Sequence, residues 1–170
     1  MAYPAAVITV SDRSSAGERP DAGGPLAVAA LREAGWECAD AAIVADGADS
    51  VEAALRAACG SGARLVVTTG GTGVGPRDAT PEGTTRVIVR EVPGIAEELR
   101  RRSAAEKPAG MLSRGLAGVT DAALIVNLPG SPKAVASGMP VILSVARHVI
   151  EQLDGGDHHA GGDHAGGDHA

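Results

Sequence analysis

At 170 residues with a net charge of −6, the chain has the usual size of one domain and can bury a core without disulfides or a structural metal. Half of that charge lies in residues 155–170, where Asp157, Asp163 and Asp168 stand without Lys or Arg; the remaining −3 argues against a nucleic-acid partner. With no Phe, one Trp and one Tyr, the core must come from Ala, Val, Leu and Ile, which together with abundant Gly favours an α/β layered fold over an aromatic-rich sandwich.

Residues 5–10 (AAVITV) read as a buried strand, and 11–24 (SDRSSAGERPDAGG) as a long polar loop ahead of a helix that opens with Pro25 and ends at Gly35. A strand feeding a loop before a helix is where α/β proteins bind ligands. A second strand is expected over 38–44. A helix follows from Asp49, whose spacing to Glu52 fits a capping box, and Asp46 is left between the two elements. The third strand, 64–69, is short and β-branched and delivers the chain into a glycine-rich loop over 68–78; Thr80 then caps a helix with Pro81 in its first turn.

Helical patterning continues over 95–105. Beyond Pro108 the sequence predicts a short helix over 111–116, an edge strand near Val119, and an apolar strand over 122–126 that ends in NLPGSP (127–132). Val141, Val145, Val149 and Leu153 mark a last helix over 141–153. Residues 1–154 are therefore expected to form one domain. Residues 155–170 (GGDHHA, GGDHA, GGDHA) lack apolar periodicity and are expected to be a disordered tail. His158, His159, His164 and His169 invite a metal reading, but without fixed spacing on ordered elements the tail reads as solvated, with weak, unstructured metal affinity.

Cys38 and Cys59 form no CxxC pair and read as small buried hydrophobes of a reducing compartment. Met1-Ala2-Tyr3-Pro4 runs directly into a strand with no basic stretch and apolar run, and no segment approaches 18 apolar residues. A cytoplasmic protein with no membrane partner is expected.

The loop TTGGTGVGPRD (68–78) carries the strongest chemical signal. Its glycines let backbone amides approach an anion at the carboxyl end of a strand, while Thr hydroxyls and Arg77 add neutral and charged donors. Neither common phosphate motif fits. Gly70 and Gly75 have the spacing of GxxxxGK[ST], but Pro76 stands where Lys is required; Gly71 and Gly73 begin GxGxxG, but Pro76 ends it. A plain tight turn is the alternative, and it leaves four glycines, three threonines and an Arg-Asp pair unexplained.

The string TTGGTGVGPRDATPE, with VSDRSSAGERPDAGGP before it and NLPGSPKAV after it, resembles the molybdopterin-binding family of molybdenum cofactor biosynthesis, in particular its stand-alone adenylyltransferases and their siblings. The likeness runs from the first strand to about Leu153. It implies a three-layer fold with a doubly wound, mostly parallel sheet and an antiparallel edge strand. It also implies transfer of AMP from Mg-ATP to the terminal phosphate of molybdopterin with release of pyrophosphate, assembly as a homotrimer, and hand-over of the product to a metal-inserting enzyme. A non-catalytic molybdopterin-binding or carrier protein of the same pathway is the alternative.

By the same resemblance Asp46 and Asp78 are the catalytic residues and the Mg²⁺ ligands, although Asp46-Gly47 is also a turn dipeptide and Gly47 stands where relatives often carry a second acid. Thr69, Gly70, Gly71, Thr72, Gly73 and Arg77 form the first binding loop. Asn127, Pro129, Gly130 and Ser131 form the second, where Ser131 is also an N-cap ahead of Pro132. Ser11, Asp12 and Asp21 fall near the cleft, with Asp12 and Arg13 open to reading as a surface ion pair. The chemistry suits such a set. A phosphate monoester is already anionic near neutral pH, so no strong base is needed, and the obstacle is repulsion between two polyanions.

Overall fold

The computed structural model describes residues 2–156. β1 (Pro4–Val10) is followed by a turn of helix, α1 (Asp12–Ser15), and by α2 (Gly23–Glu33). Two short strands, β2 (Glu37–Cys38) and β3 (Ala42–Val44), precede α3 (Ala48–Gly60), β4 (Leu65–Thr69) and α4 (Thr80–Thr85). After β5 (Arg90–Glu91) and α5 (Pro93–Glu106), a 3-10 turn (Pro108–Leu112) leads into β6 (Ala117–Val119), β7 (Leu124–Leu128) and α6 (Pro132–Leu153).

β1, β4 and β7 run parallel and adjacent, and β2 and β3 pair in parallel with successive halves of β1 as one interrupted edge. β6 and then β5 continue the sheet antiparallel on the other side. The expected mostly parallel sheet is present, and its antiparallel part is two strands wide, with Val119 one strand in from the edge.

Strand alternation sorts the core into two layers. Val7, Leu65, Val67, Leu124 and Val126 face α2, α5 and α6, whereas Ile8, Val10, Val66 and Ile125 face Val51 and Leu55 of α3. Burial on both faces explains why β4 and β7 read as continuous apolar runs.

Several boundaries differ from the sequence reading for identifiable reasons. The polar loop holds α1, capped by the Ser11 hydroxyl, and α2 starts at Gly23 with Pro25 inside its first turn. The strand expected over 38–44 divides into β2 and β3. Asp49 and Glu52 do not form a capping box. Gly47 caps α3 at φ +130°, and both carboxylates accept from Arg86 Nη1, at 2.7 and 3.2 Å. Thr80 is the first residue of α4 rather than its cap, which is Ala79. The short helix over 111–116 is replaced by the 3-10 turn, and the strand over 122–126 is shifted to Leu124–Leu128.

The last helix begins nine residues before the expected start and runs through Pro140. Its buried stripe of Val135, Met139, Ile142, Ala146 and Ile150 offsets the proline's lost hydrogen bond. At 22 residues and mean hydropathy 1.2, α6 is long and apolar enough to cross a membrane by length and composition. Its packing against α2, α5 and β7 is that of a core helix. The tail expectation, including all four tail histidines, lies outside the described residues apart from Gly155 and Gly156. Cys38 and Cys59 are free but half-buried rather than fully buried, and burial pushes both thiols up, which makes them weak nucleophiles.

The two aromatic rings meet at the end of the sheet away from the glycine loop. Tyr3 and Trp36 lie 5.8 Å apart, and the Arg147 guanidinium sits 5.1 Å from the Trp36 ring while donating to Ala34 O at 3.0 Å. Arg147→Ala is expected to cost about 1–2 kcal/mol, read as a lower urea midpoint with a shifted Trp36 emission. An unchanged midpoint and emission would show that the stack does not persist in solution.

Candidate functional site

The loops that leave the carboxyl ends of β1, β3, β4 and β7 surround a cleft of about 850 Å³. Its floor is the glycine loop, held in a conformation only glycine adopts easily. Gly70 has φ +93°, and a Cβ there would lie 2.3 Å from the Val10 carbonyl oxygen. Gly71 has φ +66°, and a Cβ there would lie 2.2 Å from Thr80 Oγ1. Thr80, fully buried, fixes this bend by donating from its hydroxyl to Gly70 O at 2.9 Å and from its amide to Gly71 O at 3.0 Å.

Three loops are tied together around Asp12 and Asp46. The Asp12 amide donates to Asp46 Oδ2 at 2.9 Å, and the Asp46 amide donates back to Asp12 Oδ1 at 3.1 Å. Arg77 grips Asp12 through Nε and Nη2 at 3.0 and 3.1 Å, and Nη2 also donates to the Asp46 carbonyl at 2.9 Å. The partner of Asp12 is thus Arg77, not Arg13. The Arg77 bond, with the Asp46 amide assisting, holds the Asp12 carboxyl below the usual carboxylate range.

A folded-state value below the unfolded one means the clasp contributes fully above the ordinary Asp value of about 3.9 and fades as pH falls through the lower folded value. The Asp12 carboxyl resonance is expected to titrate below that ordinary value, and to return toward it in Arg77→Gln. A wild-type midpoint at the ordinary value would show that the pair is open in solution.

Asp78 closes the loop, its Oδ2 accepting from the Gly75 amide at 2.9 Å. From outside, Arg114 staples the same segment. Its amide donates to Thr72 O, Nε to Gly73 O and Nη2 to Asp78 O, each at 2.8 Å, and Nη1 pairs with Glu82, whose carboxyl it draws below its usual range. The sequence reading missed Arg114 because it lies 36 residues from Asp78 in an unremarkable segment. Asp21 links another wall. It accepts from Thr9 Oγ1 at 2.6 Å and from the Gly24 amide at 3.0 Å, anchoring the start of α2 to β1, while Thr69 Oγ1 donates to Thr9 Oγ1 at 3.4 Å.

Ser11, Asp46, Thr69, Gly70, Gly71, Thr72, Gly73, Asp78, Pro129, Gly130 and Ser131 all line the one cleft. Ser131 caps α6, its Oγ accepting from the Ala134 amide at 3.2 Å, so capping and a place in the cleft coexist. Asp12 and Arg77 stand beside the lining, engaged with each other. Asn127 is the exception. Buried in the sheet, it donates to Thr68 and Thr84 hydroxyls at 3.0 Å each and accepts from the Leu116 amide at 3.0 Å, so its side chain braces β4, β7 and α4 and is not among the cleft's lining.

The two carboxylates suit a hard cation. Each accepts a backbone amide through Oδ2, and both lie against the loop. A Cβ at Gly71 would be 3.2 Å from Asp46 Oδ1, and one at Gly73 would be 2.8 Å from Asp78 Oδ2. No cluster of three or more His, Cys, Asp or Glu is present among the described residues. Carboxylate oxygens, with the rest of the shell left to water and substrate phosphate, are donors that Mg²⁺ accepts and Zn²⁺ does not favour.

A family profile described as a probable molybdopterin binding domain matches residues 6–148. The chain is 40% identical over 154 residues to a molybdenum cofactor biosynthesis bifunctional protein of Synechococcus elongatus, covering 91% of this chain and 48% of that protein, so it spans about half the length of that longer relative. It is 36% identical to a molybdopterin adenylyltransferase of Helicobacter pylori, covering 88% of this chain and 86% of that one. Among solved structures, the molybdopterin biosynthesis Mog protein from Mycobacterium ulcerans superposes with a TM-score of 0.85 at 39% identity, covering 89% of this chain and 99% of that one.

Proposed function

Because the chain belongs to the molybdopterin-binding family of molybdenum cofactor biosynthesis, we propose that it is a molybdopterin adenylyltransferase that moves AMP from Mg-ATP to the terminal phosphate of molybdopterin. One observation carries this reading. A single cleft combines an anion-receiving glycine loop with two carboxylates that each keep an oxygen for a cation, which is the equipment for joining two polyanions.

An oxygen of the molybdopterin phosphate attacks the α-phosphorus of ATP, a new P–O–P linkage forms, the α–β bridging bond breaks and pyrophosphate leaves. No side chain has to remove a proton from the nucleophile, and among the described residues no histidine lines the cleft. Mg²⁺ held by Asp46 and Asp78 would offset phosphate charge and align the leaving group. The Gly70–Gly73 backbone and the Ser131 loop receive phosphate oxygens, while the Asp12–Arg77 clasp and the Arg114 staple keep the two carboxylates in place during the transfer. Assembly as a homotrimer, a cytoplasmic location and delivery of the product to a metal-inserting enzyme belong to the same proposal.

Purified protein incubated with molybdopterin and ATP is expected to release pyrophosphate and form adenylylated pterin only when Mg²⁺ is present. Tight pterin binding without either product would replace the transferase by the carrier reading. Light scattering is expected to give three times the 16.8 kDa chain mass.

A further inference from the structure

We infer that Arg19 and Lys107 are the side chains that bind the ligands' phosphate charge in the cleft, an assignment that rests on the proposal of polyanionic substrates. The inference starts from which cations are already committed. Arg77 commits Nε and Nη2 to Asp12 and the Asp46 carbonyl, and Arg114 commits Nε, Nη1 and Nη2 to Gly73 O, Asp78 O and Glu82. Swinging either guanidinium onto a phosphate would unfasten the loops that build the site. The cleft-lining carboxylates Asp21, Asp46 and Asp78 make its own field negative, so an entering polyanion needs positive charge from elsewhere.

Arg19 and Lys107 are the basic residues among the cleft's lining. Both are exposed, and neither side chain forms a hydrogen bond or ion pair within the described residues. Glu106, the acid next to Lys107, is taken by Lys133 at 3.7 Å.

The two cations come from different elements. Arg19 belongs to the segment between β1 and α2, and Lys107 is the C-cap of α5, which packs on α6. Two long side chains offered to one cleft from separate elements suit a ligand, or a pair of ligands, that carries more than one phosphate. Lys107 follows Glu106, whose ion pair with Lys133 ties the end of α5 to the start of α6, and Arg19 precedes Asp21, which anchors the start of α2.

The test is equilibrium binding of two probes, Mg-ATP and inorganic pyrophosphate, to wild type, Arg19→Gln, Lys107→Gln, the double variant, and the charge-keeping Arg19→Lys and Lys107→Arg. Each glutamine substitution is expected to weaken at least one probe about tenfold, and the double variant to weaken both with a shallower salt dependence. The charge-keeping variants should stay within about threefold of wild type. Unchanged affinity and salt slope in the double variant, with its circular dichroism and melting intact, would overturn the inference. The two readings fail separately. Wild type that binds the probes without transferring AMP sinks the transferase and leaves the cations assigned, whereas transfer with unaltered KM in the double variant does the reverse.

Discussion

Asp78→Asn is expected to lower AMP transfer by two to three orders of magnitude while leaving pterin binding and the fold largely intact. The substitution separates two jobs of one side chain. As a structural group, Asp78 accepts the Gly75 amide through Oδ2, and an asparagine carbonyl can accept the same bond. Arg114 holds this residue through its backbone oxygen, a contact that does not depend on the side chain. What disappears is the negative charge, and with it half of the carboxylate pair proposed to hold Mg²⁺. Steady-state rates over a Mg²⁺ series should show an activation constant shifted well above that of wild type, with the melting temperature close to unchanged. Transfer within threefold of wild type at every Mg²⁺ concentration would remove Asp78 from the metal site.

The sequence reveals the elements of this site better than their connections. Strand β4 and the glycine loop are legible because a fully buried parallel strand is a short β-branched run and the glycines mark the tight turn at its end. Asp46 and Asp78 are legible as polar residues that follow strands on one end of the sheet. Contacts between loops are not legible. The Asp12–Arg77 pair spans 65 residues and the Arg114–Asp78 contact spans 36, and no local pattern encodes either. Asn127 shows the converse limit. A polar residue at a strand end reads as a ligand contact, but here its side chain bridges two buried hydroxyls and the Leu116 amide, which depends on where Thr68 and Thr84 come to lie. The capping-box reading of Asp49 and Glu52 fails for the same reason, since Arg86, distant in sequence, offers each carboxylate a stronger partner than a backbone amide.

The glycines test whether the loop's conformation or merely its smallness matters, and Gly71→Ala is expected to abolish transfer and destabilise the fold by about 2–4 kcal/mol. Two costs add. At φ +66° an alanine pays for left-handed backbone, about 1–2 kcal/mol. Its Cβ also meets Thr80 Oγ1 at 2.2 Å, and that hydroxyl is buried and already committed to Gly70 O, so it cannot swing aside without losing its bond and loosening the bend. The same Cβ approaches Asp46 Oδ1 at 3.2 Å, so any relaxation of the loop moves a proposed metal ligand as well. Gly62→Ala supplies the comparison. It carries the backbone cost alone, with φ +93° and nothing within 4 Å of the new methyl, and is expected to lose about 1 kcal/mol with normal activity. Urea titration and initial rates on the two variants separate the contributions, and equal activity losses in both would mean that the close packing of Gly71 on Thr80 has no part in shaping the site.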